Sequence, residues 1–167
     1  MQMQLPDQAT AETVDVAVRE LLRGRRGVGA WQAFLRAHAT LMRELGTDLT
    51  TKVNLSLGDF DVLAQLAAAG GELRVTDLAT RVFSSRSALT RRMDRMVDEG
   101  LVRRSRADAD GRGVVVGITD AGAARLLEAL PVHLDGVARL FVELLDDADL
   151  ETLDRALTKV ATDCSFG

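Results

Sequence analysis

Apolar residues recur at steps of three and four over most of this chain, which predicts a mainly helical protein. One such stripe runs from Ala30 to Leu49, and a second runs from Thr119 to Leu145. We expect Pro131 to kink or break the second helix, because proline cannot donate a backbone hydrogen bond inside it. Asp147 is the predicted N-cap of a final helix with an apolar stripe of its own.

The centre of the chain is predicted to contain shorter elements. Ser56 stands three residues before Asp59, as in a capping box, and predicts the start of a helix that ends at Gly70-Gly71. Residues 73–75 can form a short strand. Thr76 is the predicted N-cap of the short helix that follows.

A second helix is predicted over residues 85–99, directly after the polar pair Ser84-Ser85. The strand-like runs LVRRSR and GVVVGI come next, joined by a turn at ADADGR. Helix, turn, helix and two-stranded ribbon is the element order of a winged helix-turn-helix. The predicted fold class is therefore mainly α with a small β-ribbon (α+β), in which long N- and C-terminal helices flank a winged helix-turn-helix lobe.

Charge is unevenly distributed along the chain. Between Arg81 and Arg112 nine arginines oppose five acidic residues, although the 167-residue chain as a whole carries a net charge of −4. A chain that repels DNA overall but is basic over one short segment has its positive charge where a duplex would bind. This segment coincides with the predicted helix-turn-helix and ribbon.

The predicted helix over residues 85–99 is amphipathic. The side expected to face the core carries Leu89, Met93, Met96 and Val97. Small polar residues and arginines gather on the other side, which suits the major groove, where arginine can bind guanine through two hydrogen bonds. A solvated helix face is the alternative interpretation. The candidate DNA-binding residues here are Ser84, Ser85, Arg86, Ser87, Thr90, Arg91, Arg92 and Arg95.

The turn of the ribbon supplies a further DNA-binding candidate. Arg112 would project from the tip into an adjacent minor groove, and Asp110 could orient its guanidinium or serve only to form the turn. Three more arginines lie on the first ribbon strand, and we interpret them as phosphate contacts at most.

The terminal helices have apolar stripes that a small DNA-binding lobe cannot cover completely. The economical explanation is a homodimer, in which helices from both ends of two chains interleave around a two-fold axis. Packing of the termini on their own subunit is the alternative. The predicted organisation is an N-terminal extension over residues 1–27, dimerisation helices over 28–55 and 120–163, and a DNA-binding lobe over 56–119.

Motifs and composition argue against several other classes of protein. The chain lacks the Gly-x-Ser-x-Gly, P-loop, Gly-x-Gly-x-x-Gly and His-Glu-x-x-His motifs, so we expect neither an enzyme nor a cofactor. One cysteine, Cys164, and two histidines are too few for a typical structural zinc site. A single cysteine fits a reducing cytoplasm. No run of about 18 apolar residues is present, so we expect no membrane partner.

The chain resembles the MarR family of bacterial transcriptional regulators most strongly over residues 76–122, and its helices extend the likeness over roughly residues 28–163. The likeness rests on Gly100-Leu101-Val102 after the second helix, Asp110-Gly111-Arg112 in the wing, and Thr119-Asp120-Ala121-Gly122 after the ribbon. The resemblance implies a homodimer that binds a pseudo-palindromic operator on double-stranded DNA, and we expect a repressor. A dimeric protein-interaction module of the same fold that does not bind DNA is the alternative function.

The resemblance also implies a small aromatic or anionic ligand that would bind between the dimerisation helices and the DNA-binding lobe and release DNA. Trp31, Phe34 and His38 share a helical stripe and would line one wall of such a pocket, with Phe60 as a further candidate. The same residues could instead belong to the core or to the dimer interface.

Overall fold

A computed structural model describes residues 13, 16–18, 20–82, 86–106 and 113–164. The chain divides into two units, Met1–Thr40 and Leu41–Gly167. The elements, in order, are α1 (Val28–Val53), α2 (Leu57–Ala68), β1 (Glu72–Arg74), α3 (Val75–Arg81), α4 (Arg86–Asp98), β2 (Val102–Arg106), β3 (Val114–Ile118), α5 (Asp120–Leu140), a 3₁₀ turn (Val142–Leu144) and α6 (Asp147–Cys164). Within the described ranges, no helix has the length and apolar character needed to cross a membrane.

The three strands of the second unit form an antiparallel sheet with β3 in the middle. Leu73 of β1 and Arg104 of β2 both pair with Val116, one from each side. The predicted ribbon is therefore confirmed, and the short strand before the helix-turn-helix joins it. Together with the helices this confirms the predicted fold class, a mainly helical protein with a small β-sheet.

The core of the second unit forms where α2, α3, α4 and the sheet meet. Each of these elements contributes a side chain with no exposed surface, namely Leu63, Leu78, Met96 and Val116. Burial of each such side chain stabilises the fold by about 1.5–3 kcal/mol. The core therefore holds the helix-turn-helix and the ribbon together as one lobe.

Two predicted helix starts are confirmed. Ser56 caps α2, because its Oγ accepts a hydrogen bond of 3.1 Å from the backbone N–H of Asp59. Thr119 caps α5 in the same way, and its Oγ1 accepts a hydrogen bond of 3.0 Å from the N–H of Gly122. Both hydroxyls satisfy an N–H group that has no partner within its own helix.

Two other predicted caps are wrong. Helix α3 begins at Val75, with Arg74 at the N-cap position and no side-chain cap, so Thr76 already lies inside the first turn. The helix starts this early because β1 ends at Arg74 and the chain turns there. At α6 the cap is Asp146 rather than Asp147, because Asp146 Oδ1 accepts a hydrogen bond of 2.8 Å from the N–H of Asp149.

Helix α5 runs unbroken through Pro131, so the expectation of a break is wrong. Proline removes one backbone hydrogen bond, but buried residues on both sides, Ala129 and Gly136, hold the helix against its neighbours. A kink without a break stays a prediction. The helix ends at Leu140, and a 3₁₀ turn replaces the last predicted helical turn.

Substitution of Gly122 tests the close approach at the start of α5. A Cβ at this position would overlap the backbone oxygen of Leu101, which cannot swing away as a side chain could. We expect Gly122→Ala to lower the free energy of unfolding by about 1–3 kcal/mol, the usual cost of overpacking. Gly46→Ala is the matched control, because its Cβ would meet only the Leu57 Cβ at 3.6 Å. Urea denaturation measures both, and equal stabilities would contradict the prediction.

Candidate nucleic-acid interface

Helix α4 has one buried side, as predicted. Leu89, Met93 and Met96 are almost completely buried, and Val97 packs against the same core. Because these residues recur at steps of three and four, they occupy one face of the helix and the intervening residues point away from the core. The burial of four apolar residues therefore determines which side of α4 is presented outward.

The outward side of α4 carries Ser87, Thr90 and Arg91, all of which are exposed. Steps of three and four place these residues along one face. Short hydroxyl side chains allow another molecule to approach the helix closely, and a long guanidinium beside them can reach further. Their interpretation as DNA contacts stays a prediction, and the geometry of this face is compatible with it.

Several predicted DNA contacts lie outside the described residues. They are Ser84 and Ser85, which precede α4, and Arg112, which follows β2 in the sequence; Asp110, predicted to orient Arg112, also lies outside. Arg86 is the first residue of α4, but its side chain also lies outside the description. The roles of these five residues stay predictions.

The structure places Arg92 and Arg95 in an ion-pair cluster with Asp59 of α2. Arg92 Nη1 donates to Asp59 Oδ1 over 2.8 Å, and Arg95 Nη2 donates to the same oxygen over 2.5 Å. Arg92 Nη1 also donates to Ser56 Oγ over 3.1 Å. The Asp59 side chain is only 5% exposed, whereas those of Arg92 and Arg95 are 24% and 47% exposed. A direct DNA contact by either arginine stays a prediction, and both already have partners within the protein.

Burial and hydrogen bonding act on Asp59 in opposite directions. Burial alone would raise the pKa of this carboxyl, because it disfavours the charged form. Hydrogen bonds from Ser56, Arg95 and Arg92 outweigh burial, so the pKa of Asp59 lies below its usual value. Hydrogen bonds to Glu99 and Asp59 raise the pKa of Arg95 in turn. Asp59 is therefore a buried carboxylate that stays ionised at neutral pH.

A polar cavity of about 470 Å³ adjoins this cluster. Both arginines that line it already have partners. Arg95 contacts Asp59 and Glu99, and Arg125 contacts Glu128 and the backbone oxygen of Val53. The lining therefore offers no unpaired guanidinium for an anionic ligand.

The arginines of β2 form weaker surface ion pairs. Arg104 Nη1 lies 2.6 Å from Asp94 Oδ1, and Arg103 Nη2 lies 3.5 Å from Glu72 Oε2. All four side chains are at least one third exposed, and such pairs contribute about 0–1 kcal/mol. Arg106 is also exposed. These guanidinium groups can therefore exchange their carboxylate partners for phosphate at little cost, as the predicted phosphate contacts require.

Comparison with known proteins identifies the family of this lobe. A sequence model described as the MarR family matches residues 53–113, which contain the helix-turn-helix and β2. One similar solved structure is that of AbsC, a MarR family transcriptional regulator from Streptomyces coelicolor, which is 28% identical in sequence. The match covers 99% of this chain and 100% of the AbsC chain, with a TM-score of 0.75. Over the helix-turn-helix and β2 this chain is therefore similar to the MarR family. Members of the MarR family are non-enzymatic, DNA-binding transcription factors.

Two further MarR-type relatives extend the comparison. Sco3205, a MarR family transcriptional regulator from Streptomyces coelicolor solved in complex with DNA, is 26% identical over 81% of this chain and 88% of its own, with a TM-score of 0.74. PecS, an HTH-type transcriptional regulator from Dickeya dadantii, is 30% identical over 87 residues, which are 51% of this chain. The chain spans about half the length of PecS, 52%.

The residues predicted to line an effector pocket belong to both units, and each unit is described by itself. In the first unit the Trp31 and Phe34 rings lie 6.0 Å apart, the Phe34 and His38 rings lie 6.2 Å apart, and all three residues are exposed. In the second unit Phe60 is buried, with its ring 4.4 Å from that of His133. Effector binding stays a prediction. Across the described ranges, no three His, Cys, Asp or Glu side chains are placed to hold a metal ion.

Two buried polar groups of the second unit are not predicted by the sequence analysis. The sequence predicts Asp59 only as part of a helix cap, and the pattern around it, with Asp61 two positions later, gives no signal of burial. His133 gave no signal, yet its Nδ1 is buried without a hydrogen-bond partner in the described part of the chain. Burial lowers the pKa of His133, which keeps the imidazole neutral beside Phe60.

The ion pairs of Asp59 predict a specific loss of stability in acid. Because the folded pKa lies below the usual 3.8, the ion pairs stabilise the fold above that value and are lost as the pH falls through the folded pKa. Wild type should therefore exceed Asp59→Asn in free energy of unfolding by a constant amount above about pH 5, and by less at each lower pH. Urea titrations at a series of pH values measure this difference, and a pH-independent difference would contradict the assignment.

Proposed function

We propose that this chain is a MarR-family transcriptional regulator and a repressor that binds a pseudo-palindromic operator on double-stranded DNA as a homodimer in the cytoplasm. The observation that carries the proposal is the division of α4 into a buried apolar side and an exposed side with hydroxyls and an arginine. Sco3205, which is 26% identical, is described in complex with DNA, and this supports DNA as the ligand.

The chemistry of the exposed α4 face suits the major groove. Ser87 and Thr90 are short enough to let the helix approach base edges, and their hydroxyls can donate or accept hydrogen bonds. Arg91 can bind O6 and N7 of guanine through two parallel N–H groups. The surrounding segment from Arg81 to Arg112 supplies the excess of positive charge that attracts phosphates.

Exposed apolar residues of the second unit support the homodimer. Leu127, Leu130 and Leu134 follow one another along α5 and are all exposed, and Leu157 and Val160 are exposed on α6. Exposed apolar residues at helical spacing on two successive helices are costly in water and mark surfaces that another protein covers. A second copy of the chain can cover both surfaces across a two-fold axis.

A two-fold dimer accounts for the expected operator and for repression. Two copies of α4 would enter successive major grooves of one face of the duplex, about 34 Å apart, and so read inverted half-sites. A dimer bound in this way covers the intervening DNA and excludes other proteins from it. No chemical step is required of any side chain.

Substitution of Arg91 tests the DNA-binding face. We expect Arg91→Ala to weaken binding to the preferred duplex by about 1–3 kcal/mol and to relax the base preference at one position, because a bidentate contact to a base is lost. Arg43→Ala removes the same charge from an exposed site on α1 and should leave affinity unchanged. Fluorescence anisotropy at matched salt measures both variants.

Two results of the Arg91 titration would count against this function. A loss of equal size on every DNA sequence would make Arg91 a phosphate contact rather than a base contact. If wild type binds no duplex even at low salt, where phosphate contacts are strongest, the protein-interaction module is the correct interpretation.

Substitution of Leu134 tests the homodimer. Leu134 is 54% exposed in the single chain, and in a dimer Leu134→Asp would place two carboxylates near the two-fold axis. Like charges at an interface cost several kcal/mol, so we expect the dissociation constant to rise by about a hundredfold or more. Val114→Asp is the control, because Val114 is 46% exposed but lies on the ribbon. Sedimentation equilibrium measures both, and two dimers of equal affinity would remove α5 from the interface.

A further inference from the structure

Asp59 is the only buried charged residue in the described part of the chain. It lies in the first turn of α2, and its arginine partners, Arg92 and Arg95, lie on α4, 33 and 36 residues further along the chain. A buried carboxylate gains little net stability from its ion pairs, because removing charges from water is costly. The ion pairs of Asp59 join α2 to α4, which indicates a role for Asp59 other than stabilising the fold.

We propose that Asp59 is a positioning residue for α4, and that by holding Arg92 and Arg95 it orients the exposed face of α4 for selective DNA reading. This inference rests on the proposed function. It gives Arg92 and Arg95 an indirect part in recognition, in place of the direct contacts that the sequence predicts.

The geometry of the cluster explains how one carboxylate can fix a helix. Arg92 and Arg95 are three residues apart, which is about 4.5 Å along the helix axis, and both reach the same oxygen of Asp59. Two attachments at different heights oppose both sliding of α4 and rotation about its axis. The apolar contacts of the opposite face are non-directional and do not set the rotation as tightly.

The cluster also withholds positive charge from DNA. Arg92 Nη1 is occupied by Asp59 Oδ1 and Ser56 Oγ, and Arg95 is shared between Asp59 and Glu99. Guanidinium groups released from these partners would be drawn to phosphates of any DNA sequence. Asp59 therefore restrains non-specific binding while it orients the residues that read bases.

Gly58 is the element of the sequence that makes this approach possible. A Cβ at Gly58 would overlap the guanidinium of Arg92. The overlapping atoms are the far end of a flexible side chain, which can swing out at little cost in stability. Gly58→Ala therefore displaces Arg92 from Asp59 without changing any charge, and it places alanine, a better helix former, in α2.

Three variants test the proposal on two DNA duplexes. Asp59→Asn removes the carboxylate charge, and Gly58→Ala displaces Arg92 with all charges kept. Asp98→Asn is the control, because it makes the same charge change at an exposed position, the last residue of α4. The duplexes are the sequence that wild type selects from a random pool and a scrambled sequence of the same composition. The readout is the dissociation constant for the scrambled duplex divided by that for the selected duplex.

The proposal predicts a loss of discrimination that added charge alone cannot produce. We expect the ratio to fall by about tenfold in Asp59→Asn and Gly58→Ala, the scale of one base contact, and to stay unchanged in Asp98→Asn. Both Asn variants should bind the scrambled duplex more tightly, because each lobe becomes more positive. Ratios in Asp59→Asn and Gly58→Ala that equal the wild-type ratio would overturn the role of Asp59.

The remaining outcomes are also decisive. If Asp59→Asn does not fold, Gly58→Ala decides alone, since its fold and charges are kept. Hydrogen exchange can show whether Arg92 has left Asp59 in Gly58→Ala. If it has left and the variant keeps the wild-type ratio, the Asp59 cluster does not orient α4. If wild type binds neither duplex, the proposed function fails, whereas selective binding by wild type with unchanged variants removes only this inference.

Discussion

Leu89, Met93 and Met96 lose nearly all contact with solvent when α4 packs on the core, and this burial determines which residues of the helix face outward. Without it Ser87, Thr90 and Arg91 would have no common direction, and a basic helix would be only a source of charge. The hydrophobic effect does not recognise direction by itself. It acts here through the helical repeat, which assigns one side to the core and leaves the other for binding.

The arginines of this lobe differ in how exposed their carboxylate partners are. Near the surface, Arg103 and Arg104 have carboxylate partners that cost little to exchange, so these groups can follow a phosphate backbone. Arg92 and Arg95, by contrast, are bound to the buried carboxylate of Asp59. The net charge of a segment is therefore a poor measure of the charge that it offers to DNA. What counts is how each arginine is already bound.

The sequence predicted the elements better than their junctions and better than their contacts. Periodicity was sufficient for α4 and its buried side, and local capping chemistry was sufficient at Ser56 and Thr119. The start of α3 depended on where β1 stops pairing with β3, which no local pattern around Thr76 records. The Asp59 cluster joins residues more than thirty positions apart, and only the packing of α2 on α4 brings them together.

The order of the strands has a consequence for the way the lobe is made. β3 is the middle strand, and both β1 and β2 pair with it and not with each other. Neither outer strand can form its hydrogen bonds until residues 114–118 have been synthesised. On the ribosome the helix-turn-helix therefore emerges before the sheet that completes its core, and lasting structure waits for the final segment of the lobe. Contacts between such distant parts of a chain also form slowly, so closure of the sheet is the step expected to limit folding of this lobe.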